Sequence, residues 1–243
     1  MNARNTLLLV LFFLVMAPSC SFSQETDSSK YKHPVWRKVA VPISLITIGL
    51  RVMDEDEFVN RFQILEEKNE NAAFYNLHIE DYLQYVPTAA VYGLTAAGVK
   101  GKNSVVEATF LLLKSELIMT ALVTTLKNTT HIQRPDGSTY NSFPSGHTAQ
   151  AFVAATFLHK EYGHKSIWYS IGGYTAATTV GVMRVMGNRH WLSDVFVGAG
   201  IGILSTELVY ATHQYKWSKR KVKLTGLPVF DRGSYGMYLS LAL

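Results

Sequence analysis

The sequence predicts an all-α fold, a helical bundle of about six core helices followed by a short β-like C-terminal tail. Three observations carry this expectation. Apolar stretches of helix length recur between polar breaks and breaks bearing glycine or proline. Helix-start chemistry stands where such stretches begin, most clearly at Ser104 with Glu107 three residues on, a capping-box arrangement. Period-two alternation is confined to the end of the chain, where Met237, Leu239, Leu241 and Leu243 follow Gly233 and Gly236.

The composition bounds the function as well as the fold. Of 243 residues, 48% are hydrophobic and only 17% are charged, against roughly 25% charged in an ordinary soluble domain. A disordered tail, a collagen and a coiled coil are thereby excluded. One cysteine, Cys20, excludes an intramolecular disulfide scaffold and a four-cysteine zinc site. Lys and Arg number 23 against 18 acidic residues, a net charge of +5. That surplus favours anionic partners, phosphates or lipid surfaces, and is too small to specify nucleic acid.

Taken in order, residues 1–23 read as a signal peptide. Arg4 is the cationic start, Leu7 to Met16 are unbroken apolar residues, and Ser21 and Ser23 suit cleavage before Gln24. A second processing route is open, because Cys20 after Ala17-Pro18-Ser19 loosely resembles a lipoprotein box. Residues 24–38 form a polar tether containing Pro34, and residues 39–212 form the helical domain. Val39 to Met53 is a short apolar stretch closed by the acidic run from Asp54 to Glu57, and Phe58 to Tyr82 reads as surface helix and loop. Val86 to Val99 is a helix of small residues. Ser104 opens the longest helix, which extends to about Lys127. The next helix is expected to start at Pro144, where a first-turn proline fits, and to end at Gly163. Ile167 to Met186 and Trp191 to Thr212 are two more, parted by Gly187-Asn188. Residues 213–243 are basic and then strand-like, with a turn at Asp231-Arg232-Gly233.

Three clusters place reactive residues beside helix ends: Lys127 with Arg134-Pro135, then Pro144-Ser145-Gly146-His147, then Arg184 with His190 and Asp194. Lys127, Arg134 and Arg184 supply fixed positive charge, and an arginine fork binds phosphate oxygens bidentately. A helix starting near Pro144 would turn the N–H groups of Ser145, Gly146 and His147 outward as a phosphate cradle. On a helix from His190, Asp194 lies one turn along the same face and can fix the imidazole tautomer. This set suits metal-free phosphoryl transfer: His190 attacks phosphorus, His147 protonates the leaving oxygen and later activates water, and the cations stabilise the equatorial oxygens.

In this order the three motifs resemble the type 2 phosphatidic acid phosphatase superfamily, which includes lipid phosphatases, bacterial class A acid phosphatases and vanadium haloperoxidases. The motif core spans residues 127–194, and with flanking helices the resemblance covers about 86–212. It implies phosphate binding by Lys127, Arg134, Ser145, Gly146 and Arg184, a nucleophilic His190, an orienting Asp194 and an acid His147; the residues themselves call for no metal and no cofactor. One departure is visible: Met183 stands where the family usually has serine before the third-motif arginine.

Blander readings compete for other residues. His131 is more simply a solvated loop histidine, His159 and His164 are surface residues, and Asp136 braces Arg134. Glu116 and Thr120 share a helix face with Lys127, where burial against another helix is the simpler account. Gly198, Gly200 and Gly202 lie within a helix and signal close packing, not a nucleotide loop. The basic stretch near Lys219 is a solvated face that can also meet anionic headgroups.

The lipid-phosphatase branch has six spanning helices, and six apolar candidates follow the leader here. Several fall short of the ~20 residues a bilayer needs. Three spans before Lys127 would also leave the motifs in the cytoplasm if the leader exports the chain. The expectation is therefore an exported phosphatase of phosphate monoesters or pyrophosphates, on the periplasmic face of the inner membrane and associated with it or partly embedded. Its substrate would be lipid-linked: phosphatidate, phosphatidylglycerol phosphate, a polyprenyl pyrophosphate or a lipid A phosphate. The expected partners are this substrate and a membrane surface, without nucleic acid. The alternatives are a soluble periplasmic acid phosphatase acting on small phosphate esters, a vanadate-dependent haloperoxidase, and a non-catalytic phospholipid-binding envelope protein.

Overall fold

A computed structural model describes residues 39–53, 78–213, 223–231 and 234–242. The expected leader, tether, acidic run and most of the stretch from Phe58 to Tyr82 lie outside the described residues. Within them the elements are α1 (Val39–Met53), α2 (Ile79–Leu83), α3 (Val86–Ala96), α4 (Val105–Thr130), α5 (Gly146–Tyr162), α6 (Ile167–Met186), α7 (Leu192–Thr212), β1 (Lys223–Asp231) and β2 (Ser234–Ala242). The all-α expectation holds for the domain, and helix limits fall within a few residues of those read from the sequence.

Local chemistry explains where the helices start. Ser104 caps α4 by accepting from the Glu107 N–H, while the Glu107 carboxylate accepts from the Ser104 N–H at 3.2 Å, the full capping box. His131 ends α4 in the left-handed conformation, with φ of 50°. Ser166 caps α6 through the Trp168 N–H. The expected start at Pro144 is corrected. Ser145 is the N-cap, its hydroxyl accepting from the Thr148 N–H, so the helix begins at Gly146 and Pro144 precedes it. The side-chain cap outweighs the preference of proline for the first turn.

The bundle is organised around α5, which packs against α3, α4, α6 and α7. Phe157, Tyr162, Val153 and Ala149 on α5 are buried and join Leu126 and Val123 of α4 and Val197, Ile201 and Leu204 of α7 in one core. Charge inside this core is paired: Glu161 accepts from Asn103 Nδ2 and from the Tyr210 hydroxyl, each at 2.6 Å. Lys160 meets Glu207 at 2.5 Å. Buried carboxylates without such partners would cost several kcal/mol each, about what desolvating an ion demands.

The glycines of α7 do what their spacing predicts. A Cβ on Gly198 would stand 2.6 Å from the Ser145 carbonyl oxygen, and one on Gly200 would stand 2.5 Å from Ile46 of α1. At Gly202 it would collide with the Ala149 carbonyl oxygen. The bare face of α7 thus lets α5 and α1 approach closely. Helix α7 is also the single described helix long and apolar enough to cross a membrane, and 67% of its apolar window is buried within the protein.

The chain divides into two units, 1–212 and 213–243. In the second, β1 and β2 pair antiparallel from Lys223 opposite Ala242 to Asp231 opposite Ser234. This is the expected hairpin, longer than the short strands read from the sequence.

Candidate active site

The sites read from three separate motifs meet at one end of the bundle. A cleft of about 380 Å³ is lined by Lys127 of α4, Arg134 of the following loop, Gly146 and His147 of α5, and His190 just before α7. Gln84, Thr120, Thr124, Asn141 and Gln150 complete its polar wall. Behind this surface lie Ser145, Arg184 and Asp194, at 0%, 6% and 1% exposure.

Asp194 is the hub of the buried layer. One carboxylate oxygen, Oδ2, accepts from the Trp191 N–H at 3.0 Å, from His190 Nδ1 at 3.3 Å and from the Ser142 hydroxyl. Its backbone carbonyl accepts from the Ser145 N–H at 3.0 Å. The carboxylate is thus fixed on three sides, and it fixes the ring in turn. With Nδ1–H donated to Asp194, the other ring nitrogen, Nε2, carries the lone pair. Burial pulls the His190 pKa down to about 4 against the opposing influence of Asp194, so the ring is neutral at ordinary pH.

Two expectations about this layer are corrected. His190 lies before α7, which starts at Leu192, so its contact with Asp194 comes from the turn and not from one helical face. The cradle of three N–H groups loses one member, because the Ser145 N–H is committed to Asp194. Gly146 and His147 keep theirs at the first two helical positions, where no carbonyl of the helix can reach them.

The cations differ in their setting. Lys127 Nζ donates to the Asn141 carbonyl oxygen at 2.5 Å and to that of Ser142 at 3.4 Å. Burial, with Arg134 and Arg184 nearby, lowers its pKa to about 8. Arg184 pairs with Glu80 of α2 at 3.3 Å. The Nε groups of Arg134 and Arg184 are buried and make no hydrogen bond. A buried donor left so costs about 1–3 kcal/mol, which an anionic oxygen in reach would relieve.

Other residues fall differently from their sequence reading. Asp136 pairs with Arg189 at 3.3 Å and not with Arg134. His159 is half-buried, its Nδ1 sharing a 2.7 Å hydrogen bond with the Ser170 hydroxyl, whereas His164 is exposed. Thr120 does reach the cleft, and Glu116 accepts from Gln150 Nε2 at 2.6 Å on its rim. Periodicity missed Glu80, Asp81, Gln84 and Ser142 altogether. Asp81 Oδ1 accepts from His147 Nε2 at 2.9 Å, yet it sits in a stretch that reads only as polar surface. Among the described residues no group of three or more His, Cys, Asp or Glu is placed to hold a metal ion.

The fold and the site together are those of an all-α protein with two histidines, a lysine and an arginine around one cleft and a buried carboxylate behind it. More particularly, residues 108–218, the segment that carries all three motifs, match the family model of the PAP2 superfamily. The lipid A 1-phosphatase of Porphyromonas gingivalis is 34% identical over 226 residues, covering 84% of this chain and 49% of that protein. The chain therefore spans about half the length of the curated relative it matches. Among solved structures it is similar to Aquifex aeolicus LpxE, at 25% identity and a TM-score of 0.44 over 55% of this chain and 84% of the other. A transmembrane PAP2-type phosphatidylglycerolphosphate phosphatase from Bacillus subtilis gives 22% identity and a TM-score of 0.46 over 70% and 94%.

Proposed function

We propose that this chain is a metal-independent phosphatase that hydrolyses phosphate monoesters or pyrophosphates of lipid-linked substrates through a phosphohistidine at His190. The observation that carries the reading is the convergence of His190, His147, Lys127 and Arg134 on one cleft, with Asp194 behind His190. In the first step His190 Nε2 attacks phosphorus as the bond to the leaving oxygen breaks. His147 gives that oxygen its proton. In the second step His147 takes a proton from water, whose oxygen attacks phosphorus and returns its bonding pair to His190. Lys127, Arg134 and the N–H groups of Gly146 and His147 face the charge on the equatorial oxygens, with Arg184 adding positive charge from behind and Ser145 holding the helix start in place.

Apolar surface beside the cleft supports a lipid-linked substrate. Leu113 and Leu117 are 58% and 71% exposed on α4, and at helical spacing they lead on to Thr120 and Thr124 of the cleft wall. A phosphate headgroup in the cleft would leave a hydrocarbon chain this track along α4. The likeness to the P. gingivalis lipid A 1-phosphatase makes a lipid A phosphate the first substrate to try, and phosphatidate and polyprenyl pyrophosphate are the comparators. We place the site on the outer, periplasmic face of the inner membrane, in keeping with the leader-like start of the chain.

The test is phosphate release by the purified chain in detergent micelles across these lipids and small water-soluble esters, with and without EDTA. Release from a lipid substrate unchanged by EDTA is expected. Rapid hydrolysis of small esters alone would favour the soluble acid phosphatase, and binding without release would identify a non-catalytic envelope protein. The pH dependence has a defined sign. Lys127 is charged below about 8, so competitive inhibition by inorganic phosphate should weaken as pH rises through that value. Replacing Lys127 with methionine should remove this step and raise the inhibition constant on the order of tenfold at neutral pH, the loss of one charge-assisted contact.

A further inference from the structure

The mechanism proposed above uses His147 as acid and base but assigns nothing to hold it. Helix α2 supplies that support through two consecutive carboxylates. Glu80, only 7% exposed, pairs with Arg184 at 3.3 Å and anchors the short helix to α6. Asp81 then reaches His147, its Oδ1 2.9 Å from Nε2. Gln84 and Tyr85, just beyond on the same segment, line the cleft. We infer that Asp81 is the positioning residue for His147, forming a second carboxylate–imidazole pair that holds the ring and favours its protonated form for delivery to the leaving oxygen.

The chemistry follows from which nitrogen is occupied. With Nε2–H donated to Asp81, Nδ1 is the nitrogen left to pass a proton to the leaving oxygen and later to take one from water. The site thus pairs two imidazoles with two carboxylates for opposite ends. Asp194 lies in the dry interior behind a ring that must be neutral to attack. Asp81 is half-exposed at the rim, beside a ring that must carry a proton. The groups facing His147 pull in different directions: burial and Arg184 lower its pKa, whereas Asp81 and Glu80 raise it. Lys127, Arg134 and His190 share the same cleft. The net effect holds the His147 pKa below the ordinary imidazole value, and without Asp81 it would be lower still.

This inference rests on the reading of His147 as acid, and the experiment separates the two. Asp81→Asn, Asp81→Glu and His147→Ala are compared in a single turnover of the first step, formation of the phosphoenzyme, because the hydrolytic step with its His147 base is common to all esters. The substrates are an alkyl phosphate, whose leaving oxygen needs a proton, and p-nitrophenyl phosphate, whose leaving oxygen needs it far less. For Asp81→Asn the ratio of alkyl to aryl turnover should fall on the order of tenfold, within the usual reach of general acid catalysis. The basic limb of its pH profile for phosphoenzyme formation from the alkyl ester should move down by about one pH unit. Asp81→Glu, which keeps the charge, should recover part of both, and so exposes any effect of misfolding. Equal loss on both esters, no loss on either, or a gain in turnover marking the contact as a block, would each overturn the role of Asp81. If His147→Ala loses alkyl turnover selectively while Asp81→Asn does not, the inference fails and the acid assignment stands. If His147→Ala keeps full alkyl turnover, both fall.

Discussion

Replacement of His190 by alanine is expected to abolish turnover, lowering kcat by at least about 10³-fold, because the nucleophile and the intermediate it forms disappear together. Two features support the proposal of His190, rather than the other cleft histidine, as nucleophile. Its Nδ1 is committed to Asp194 at 3.3 Å, and its pKa of about 4 keeps the ring neutral where the reaction must run. His147 is more exposed and is paired with Asp81 at the rim. The check is twofold: phosphate release from the lipid substrate, and acid-quenched transfer of [32P] from that substrate to protein. Both signals should vanish in His190→Ala, whereas His147→Ala, which retains the nucleophile but lacks the base of the second step, should still take up [32P] from an aryl phosphate and release it slowly. Label that survives in His190→Ala would move the covalent step elsewhere, and full turnover in that variant would refute the assignment.

Asp194→Asn should come close to the same loss, about 10²- to 10⁴-fold in kcat, without removing any reacting atom. An amide in place of the carboxylate can turn its NH2 towards Nδ1, which then becomes the acceptor. The proton moves to Nε2, and the lone pair needed for attack is lost from the cleft. The same substitution strains the buried layer, since one oxygen of Asp194 already serves Ser142, Trp191 and His190. A thermal melt separates the two effects. With its NH2 turned to Nδ1 the amide no longer accepts from the Trp191 N–H, so the melting temperature should fall while a cooperative transition persists, and phosphoenzyme formation becomes slow. Near-normal labelling in Asp194→Asn would show that the tautomer is held by something else.

Much of the fold was legible locally. Capping boxes, proline and glycine breaks and the period of apolar residues depend on neighbours within a turn or two, so Ser104, Gly163 and Gly187 mark real boundaries. The exception at Pro144 is instructive. The neighbouring Ser145 offers a side-chain acceptor to the Thr148 N–H, and a satisfied cap sets a helix start more firmly than a tolerated proline. The glycines of α7 were also readable as packing residues, although only the structure names their partners, Ser145, Ile46 and Ala149.

The order and spacing of the chemistry belong to the sequence: Lys127 and Arg134, then Ser145 to His147, then Arg184, His190 and Asp194. That chain of residue types was enough to name the superfamily and the class of reaction to test. Tertiary structure alone decided which of them face the cleft and which stand behind it. It committed the Ser145 N–H to Asp194, buried Arg184 against Glu80, and brought Asp81 to His147 across 66 residues of chain. The physical reason is the range of the interactions. A helix or a cap is encoded by residues a few positions apart, whereas a carboxylate meets an imidazole only after whole helices have packed. Nothing in the polar stretch around Asp81 records the partner that packing supplies.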